Sequence, residues 1–440
     1  MKKIFAIGAM LLGSVAMFAQ PQLTKDNIDE VIAAMTLEEK ATLLVGSGWG
    51  SMTAGSMTAS ATALVPGAAG TTRSIERLGI PSTVLADGPA GLRISPRRDN
   101  DPNTYFCTGF PVGTVLASMW DTERVEELTT AMGNEVLEYG ADVLLAPGMN
   151  LHRNPLCGRN FEYFSEDPFL TGKTAAAYIN GIQSNGVGVS VKHFAANSQE
   201  VNRMENDSRV SQRALRELYL KGFEIAVKEA DPWTVMSSYN SIDGIPVSAN
   251  GKLLNDILKD EWGFDGYVVC DYGAVSLINE GHYMAETHED ALAMSVNNGL
   301  DLELMTTHDG LLDLVKSGKI SEETVNESVR RILKIKFELG LFEEPYVNEK
   351  KAAQVVRCDE HRELAEEAAR KSMTLLKNDG TLPLDVDKIK KIGIFGPGAN
   401  QLCLGDYSGG RGGWRGEGAV NAYQGIKNAN TFLETISAPQ

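Results

Sequence analysis

An acid at the last step of an apolar strand needs a chemical explanation. In "GYVVCDYG" (266–273), Tyr267 to Cys270 read as a buried strand and Asp271 follows them directly. Such a carboxylate serves either as the N-cap of the next helix or as a catalytic group at the mouth of a barrel. Other strand-like runs end in polar residues too. "STVLADG" (82–88) ends near Asp87, "VGVSVKHF" (187–194) carries Lys192 and His193, "WTVMSSYN" (233–240) carries Tyr239, and Arg153 follows "ADVLLAPG" (141–148). Carboxylates accept several hydrogen bonds, whereas Lys and Arg donate them. The set therefore suits recognition of a polyol, with two donors side by side at Lys192 and His193 and one acid left for chemistry. A Schiff-base role for Lys192 is the rival reading, and the neighbouring Asp, Arg and His residues fit hydroxyl recognition better. The plain structural readings are a salt-bridge partner for Lys192 and a satisfied core imidazole for His193.

These residues need a scaffold that gathers strand ends. Between about 74 and 345, short apolar runs alternate with helical patterns such as 211–230, where Leu215, Leu218, Ile225 and Ala226 share one side. "PVGTVLAS" (111–118) and "GLDLEL" (299–304) complete the strand-like set, and a helix is expected over 26–45. Continuous apolar runs are the mark of parallel strands buried on both faces. Seven or eight βα units of this kind predict an α/β protein with a (β/α)8 TIM-like barrel, a fold of roughly 250 residues. The same alternation also fits a doubly wound open sheet. The chain changes character after 324–342. The expected divisions are a signal peptide over 1–19, the barrel domain over 20–345 and a linker over 346–390. Residues 391–440 then read as the incomplete start of an α/β sandwich domain, too short to stand alone.

Composition narrows the partners. The 440 residues include 41 basic and 58 acidic side chains, a net charge of −17, which disfavours nucleic acid and anionic membrane surfaces. "MKKIFAIGAMLLGSVAMFAQ" pairs Lys2 and Lys3 with an apolar run too short for a membrane span. It reads as a leader for export to the periplasm or beyond. No second long apolar run follows, so no membrane span is expected. The five cysteines form no CxxC pair, and neither a metal site nor an organic cofactor is expected. "GIFGPGAN" (394–400 with Gly393) has Gln401 where a dinucleotide fingerprint needs a third glycine, and "DYSGGRGGWRGEG" (406–418) lacks the ending of a P-loop and reads as a mobile active-site loop.

Several stretches together carry a resemblance. "LADGPAGLR", "NLHRNPLCGRNFEYFSEDP", "VKHFAANSQEVNRM", "MSSYNSIDGIPVSAN" and "GFDGYVVCDYGAV" resemble the β-glucosidase branch of glycoside hydrolase family 3, and "SMTLLKNDGTLPL" is similar to that family's crossing into its second domain. The resemblance covers about 27–410 in the family's order. It implies a retaining, exo-acting hydrolase of oligosaccharides or β-glucosides with Asp271 as nucleophile. It also implies that Asp87, Arg93, Arg153, Lys192, His193, Arg203 and Tyr239 surround the terminal sugar, with Met236 and Tyr272 on the same wall. Cys270 and Tyr272 stand where the family commonly has Ser and Trp, and the second change alters an aromatic wall beside the sugar. In the family's β-N-acetylhexosaminidase branch a His in the loop after the "KHF" strand donates the proton. Here "KHFAANSQEVNRM" has no His after His193, which favours the glucosidase branch. Retention needs a second carboxyl about 5–5.5 Å from the nucleophile, expected from the family's layout to lie beyond residue 440. Glu417 is not assigned to that role, and Ser408 is a weaker candidate for lining the site. Positive neighbours are expected to depress the pKa of Asp271.

Overall fold

The computed structural model describes residues 20–46, 64–98, 100–304, 308–342, 347–385, 387–396, 398–402, 404, 407, 419–429 and 434–437. The expected leader, Ser408 and Glu417 lie outside the described residues.

Eight short strands follow one another around the core: β1 (Val45–Gly46), β2 (Gly70–Thr71), β3 (Val84–Asp87), β4 (Val143–Leu145), β5 (Gly188–Phe194), β6 (Thr234–Ser237), β7 (Tyr267–Cys270) and β8 (Glu303–Leu304). All are buried along their whole length, as strands covered on both faces are. From β3 to β7 each strand pairs in parallel with the next, with Asp87 opposite Leu145 and Cys270 opposite Ser237. A parallel bridge from Val269 to Leu302 leads to β8, which pairs in parallel with β1. β2 runs antiparallel to β3, with Thr71 opposite Val84. A Cβ added at Gly46 on β1 would come within 3.1 Å of the Thr71 carbonyl on β2, so the two ends of this curved arrangement approach each other.

The helices outside the sheet begin where their capping residues dictate. Asp121 caps Thr122–Glu138, Asp167 with Pro168 behind it opens Pro168–Gln183, Thr287 caps His288–Asn297 and Ser321 caps Glu322–Glu338. On the last of these, Val325, Val329, Ile332 and Leu333 face the core at helical spacing.

Three expectations change. The run at 111–118 is a helix, Gly113–Ser118, and not a strand. A short apolar run carries no period to separate the two, and Gly113 is pressed against the Glu162 carbonyl, where a Cβ would sit 2.2 Å away. The helix expected over 26–45 is two, Ile28–Ala34 and Leu37–Leu43, because Thr36 and Glu39 form a capping box that starts a new helix. The regular strand–helix alternation begins at β3. Only a single turn, Glu76–Leu78, separates the antiparallel β2 from it, which is not the all-parallel pattern of a strict (β/α)8 repeat.

Past the sheet, helices Glu349–Val355 and Asp359–Lys371 lie against the outside of Thr122–Glu138. The anchor is Glu135, only 1% exposed. Its carboxylate accepts hydrogen bonds from the Thr108 amide and hydroxyl and from the Arg357 amide, and His361 Nδ1 stands 2.8 Å from it. Beyond lies a parallel pair, β9 (Lys391–Ile394) and β10 (Glu434–Ser437), with helix Ala422–Ala429 between them in sequence.

Candidate active site

The strand ends converge on a cleft with about 430 Å³ of empty space, its open mouth included. Asp87 comes from the end of β3, Leu145 from β4, Lys192 and His193 from β5, Met236 from β6 and Asp271 from the step after β7. Tyr239, Tyr272, Arg159, Arg203 and Tyr407 complete the lining.

The turn after β3 is set by glycine. Gly88 has φ +149° and its added Cβ would lie 2.2 Å from the Gly91 carbonyl, while Gly91, at φ +109°, abuts the Thr108 carbonyl at 2.3 Å. Only glycine tolerates both the conformation and the close approach, and the turn holds Asp87 at the cleft wall.

Asp271 is buried, 7% exposed. It does not cap the next helix, whose N-cap is Gly273. Instead Oδ1 accepts the amide of Tyr272 at 2.8 Å, and the Asp271 amide donates to the Ser237 carbonyl on β6. Oδ2 has no hydrogen-bond partner. His193 Nε2 stands 3.7 Å from it, beyond hydrogen-bond length. Burial pushes the Asp271 pKa above its ordinary value, although Arg159, Lys192, the Tyr272 amide and Tyr239 all pull it down. The expected depression is therefore reversed. The positive neighbours are present, but loss of water costs the carboxylate more than they return.

His193 is clamped by Asn150, which accepts the His193 amide at 2.9 Å and donates to its carbonyl at 2.8 Å. This pattern fixes Asn150 Oδ1 as the group 3.2 Å from Nδ1. An amide oxygen only accepts, so the proton is assigned to Nδ1. Burial, with Arg159, Lys192 and Arg203 nearby, drives the His193 pKa well below the usual imidazole value. The ring is neutral and turns an accepting Nε2 to the cleft. That departs from the expectation of two adjacent donors.

Lys192 is 2% exposed, with Nζ 3.9 Å from Asp87 Oδ1 and 4.0 Å from Glu162 Oε1. Arg203 pairs with Glu200 at 2.8 Å and stacks its guanidinium 5.1 Å from the Tyr239 ring. The Tyr239 hydroxyl donates to the Tyr272 carbonyl at 2.9 Å, tying β6's end to the wall beside Asp271.

Two expected residues lie elsewhere. Arg153 is exposed, its guanidinium 5.8 Å from the Tyr219 ring, and does not line the cleft. Arg159 takes the place expected for it. It is buried and held in bidentate fashion by Glu162 at 2.7 and 2.9 Å. Arg159 thus forms a salt bridge with Glu162 and faces the cleft as well. Arg93 is half-buried behind Tyr407, 5.3 Å from its ring, rather than at the lining. Sequence reasoning missed Leu145 and Tyr407. Leu145 ends β4 as Asp87 ends β3 and was legible on that ground, whereas Tyr407 has no pattern that leads to it.

The arrangement offers Asp271 Oδ2, a buried carboxylate oxygen without a hydrogen-bond partner, flanked by cations and acceptors. Such a site binds hydroxyls and directs a nucleophile at a carbon held among them. No metal-holding group of His, Cys, Asp and Glu occurs among the described residues, and no helix among them is long and apolar enough to cross a membrane.

Comparison with known proteins adds a relationship. The glycosyl hydrolase family 3 N terminal domain matches residues 30–335, and the glycosyl hydrolase family 3 C-terminal domain matches residues 373–437. The thermostable beta-glucosidase B of Acetivibrio thermocellus is 43% identical over 379 residues, 84% of this chain and 45% of that protein. An exo-alpha-(1->6)-L-arabinopyranosidase of Bifidobacterium longum is 37% identical over 381 residues, 82% of this chain and 44% of that protein. Beta-glucosidase 3B from Thermotoga neapolitana, solved in complex with alpha-D-glucose, superposes with a TM-score of 0.76 at 44% identity, over 85% of this chain and 50% of that one. The chain thus spans about half the length of the relatives it matches.

Proposed function

The chain belongs to glycosyl hydrolase family 3, and on that premise we propose that it is a retaining, exo-acting β-glucosidase with Asp271 as its nucleophile. The observation that carries the reading is Asp271 Oδ2, buried at the end of β7, without a hydrogen-bond partner and lining the cleft. In the proposed first step Oδ2 attacks the anomeric carbon of a terminal glucosyl residue, and a glycosyl ester forms as the bond to the leaving oxygen breaks. Water then hydrolyses the ester. The leaving oxygen takes a proton from an acid that we assign to none of the described residues. A leaving group that is stable as an anion departs without one. Lys192, Arg159 and Asp87 bind hydroxyls of the same sugar ring, His193 Nε2 accepts one, and a cleft of this size supports action on a single terminal residue. Full closure of the eight strands into a barrel belongs to the same proposal, supported by the approach of β1 to β2. So does export, supported by Lys2, Lys3 and the apolar run after them.

A terminal sugar other than glucose is the second reading. It is favoured by the arabinopyranosidase relative and by Tyr272 beside Asp271. The test is turnover of dinitrophenyl β-glucoside, set against the β-xyloside and α-L-arabinopyranoside, by the chain and its Asp271→Ala variant. The variant is expected to be inactive and to regain turnover with azide, yielding the α-glucosyl azide. Activity of the variant without azide would overturn the nucleophile assignment, and a faster pentoside would select the second reading.

A further inference from the structure

Tyr407 is the one cleft residue, among those described, that lies in the stretch matching the family's C-terminal domain rather than at a strand end. Its ring centroid stands 4.6 Å from Lys192 Nζ, 5.3 Å from the Arg93 guanidinium and 5.9 Å from that of Arg159. All three are within cation–π reach. Its hydroxyl accepts a hydrogen bond from Arg159 at 3.3 Å. Arg159 is otherwise committed to Glu162. Lys192 is not: both of its carboxylates lie at 3.9–4.0 Å, longer than a hydrogen bond. The ring face thus joins these two carboxylates in bounding the ammonium, and neither carboxylate is close enough to take one of its N–H donors as a hydrogen bond.

We propose that Tyr407 is a substrate-positioning residue, holding Lys192 and Arg159 in the attitude that receives the hydroxyls of the terminal sugar. This rests on the glycosidase reading above. It makes the second segment a contributor to sugar binding independently of proton donation. A positioning residue of this kind acts on binding before it acts on bond breaking, so its loss raises KM and weakens product affinity more than it lowers kcat. The ring carries most of the effect, because it faces three cations while the hydroxyl makes one long hydrogen bond.

The experiment uses the full chain and its Tyr407→Ala and Tyr407→Phe variants. Glucose binding is measured by calorimetry, and kcat and KM on dinitrophenyl β-glucoside, with circular dichroism to confirm the fold. Tyr407→Ala is expected to weaken glucose binding and raise KM by about tenfold, with kcat within about threefold of the parent. Tyr407→Phe, which keeps the ring, is expected to restore both constants to within about threefold. Unchanged or tighter glucose binding by the folded Ala variant would overturn the proposal, as would a loss confined to kcat. A parent chain that neither binds glucose nor turns over the substrate would refute the glucosidase reading, and this inference with it. The parent measurement alone separates that outcome from the others.

Discussion

At the scale of single residues, Asp271 carries opposed demands. The proposed reaction needs it ionised, yet burial raises its pKa above the ordinary value. The sign of the consequence follows. The folded state holds the Asp271 proton more tightly than the unfolded chain does, so stability is lost as pH rises from the unfolded value through the folded one. Asp271→Asn removes that charge. It is expected to raise the thermal midpoint at pH 7, with the difference vanishing near pH 3, and to lower kcat at least about a thousandfold. A lowered midpoint at pH 7, seen by calorimetry, would contradict the burial argument. The acid limb of kcat/KM is likewise expected above the ordinary aspartate value. Asp87, Lys192, His193 and Asp271 were legible because strand ends have a known direction. Arg159 was not chosen over Arg153, because 152–168 has no period to say which residues turn inward. Only the three-residue step to Glu162 hints at a local pair.

At the scale of elements, short pieces with strong local rules were readable and ambiguous ones were not. Strands β3 to β7 stand out as continuous apolar runs, whereas 111–118 is as apolar as a strand and folds as a helix. The antiparallel β2, two residues long, left no pattern to read. The turn after β3 makes a sharp test. Gly88→Ala places a Cβ 2.2 Å from the Gly91 carbonyl at a φ of +149°. It is expected to cost about 2 kcal/mol or more in denaturant unfolding, and also to weaken sugar binding because Asp87 moves with the turn. The Glu135 anchor is the second. Glu135→Ala leaves the Thr108 and Arg357 amides without their carboxylate. It is expected to cost about 1–3 kcal/mol, as buried donors left without an acceptor do. Limited proteolysis is expected to open 347–371 first, and protection equal to the parent would argue that other contacts hold these helices.

At the scale of the whole molecule, the cleft opens at the carboxyl ends of the strands, and a buried base at the opposite end holds the sheet to its last helix. There Lys336 donates to the Thr72 and Thr83 hydroxyls and the Pro81 carbonyl at 2.7–2.8 Å. Burial lowers its pKa to about 7, against the pull of Asp142. Unfolding therefore takes up a proton between about pH 7 and the ordinary lysine value near 10.5, and Lys336 makes stability rise with pH across that window. Lys336→Met is expected to flatten the rise in midpoint, and an unchanged slope would refute it. None of this base was legible, since a lysine on an amphipathic helix reads as surface until its neighbours are known. The same limit hid Tyr407, which reaches the cleft from 136 positions past Asp271 in sequence. The central claim, that this fold presents Asp271 as a nucleophile, is tested most directly by covalent trapping. After incubation with a fluoro-glucosyl donor whose intermediate hydrolyses slowly, mass spectrometry of the folded chain is expected to show one added fluoroglucosyl group on the peptide containing Asp271. An adduct on another residue, or none in a chain that binds glucose, would contradict it.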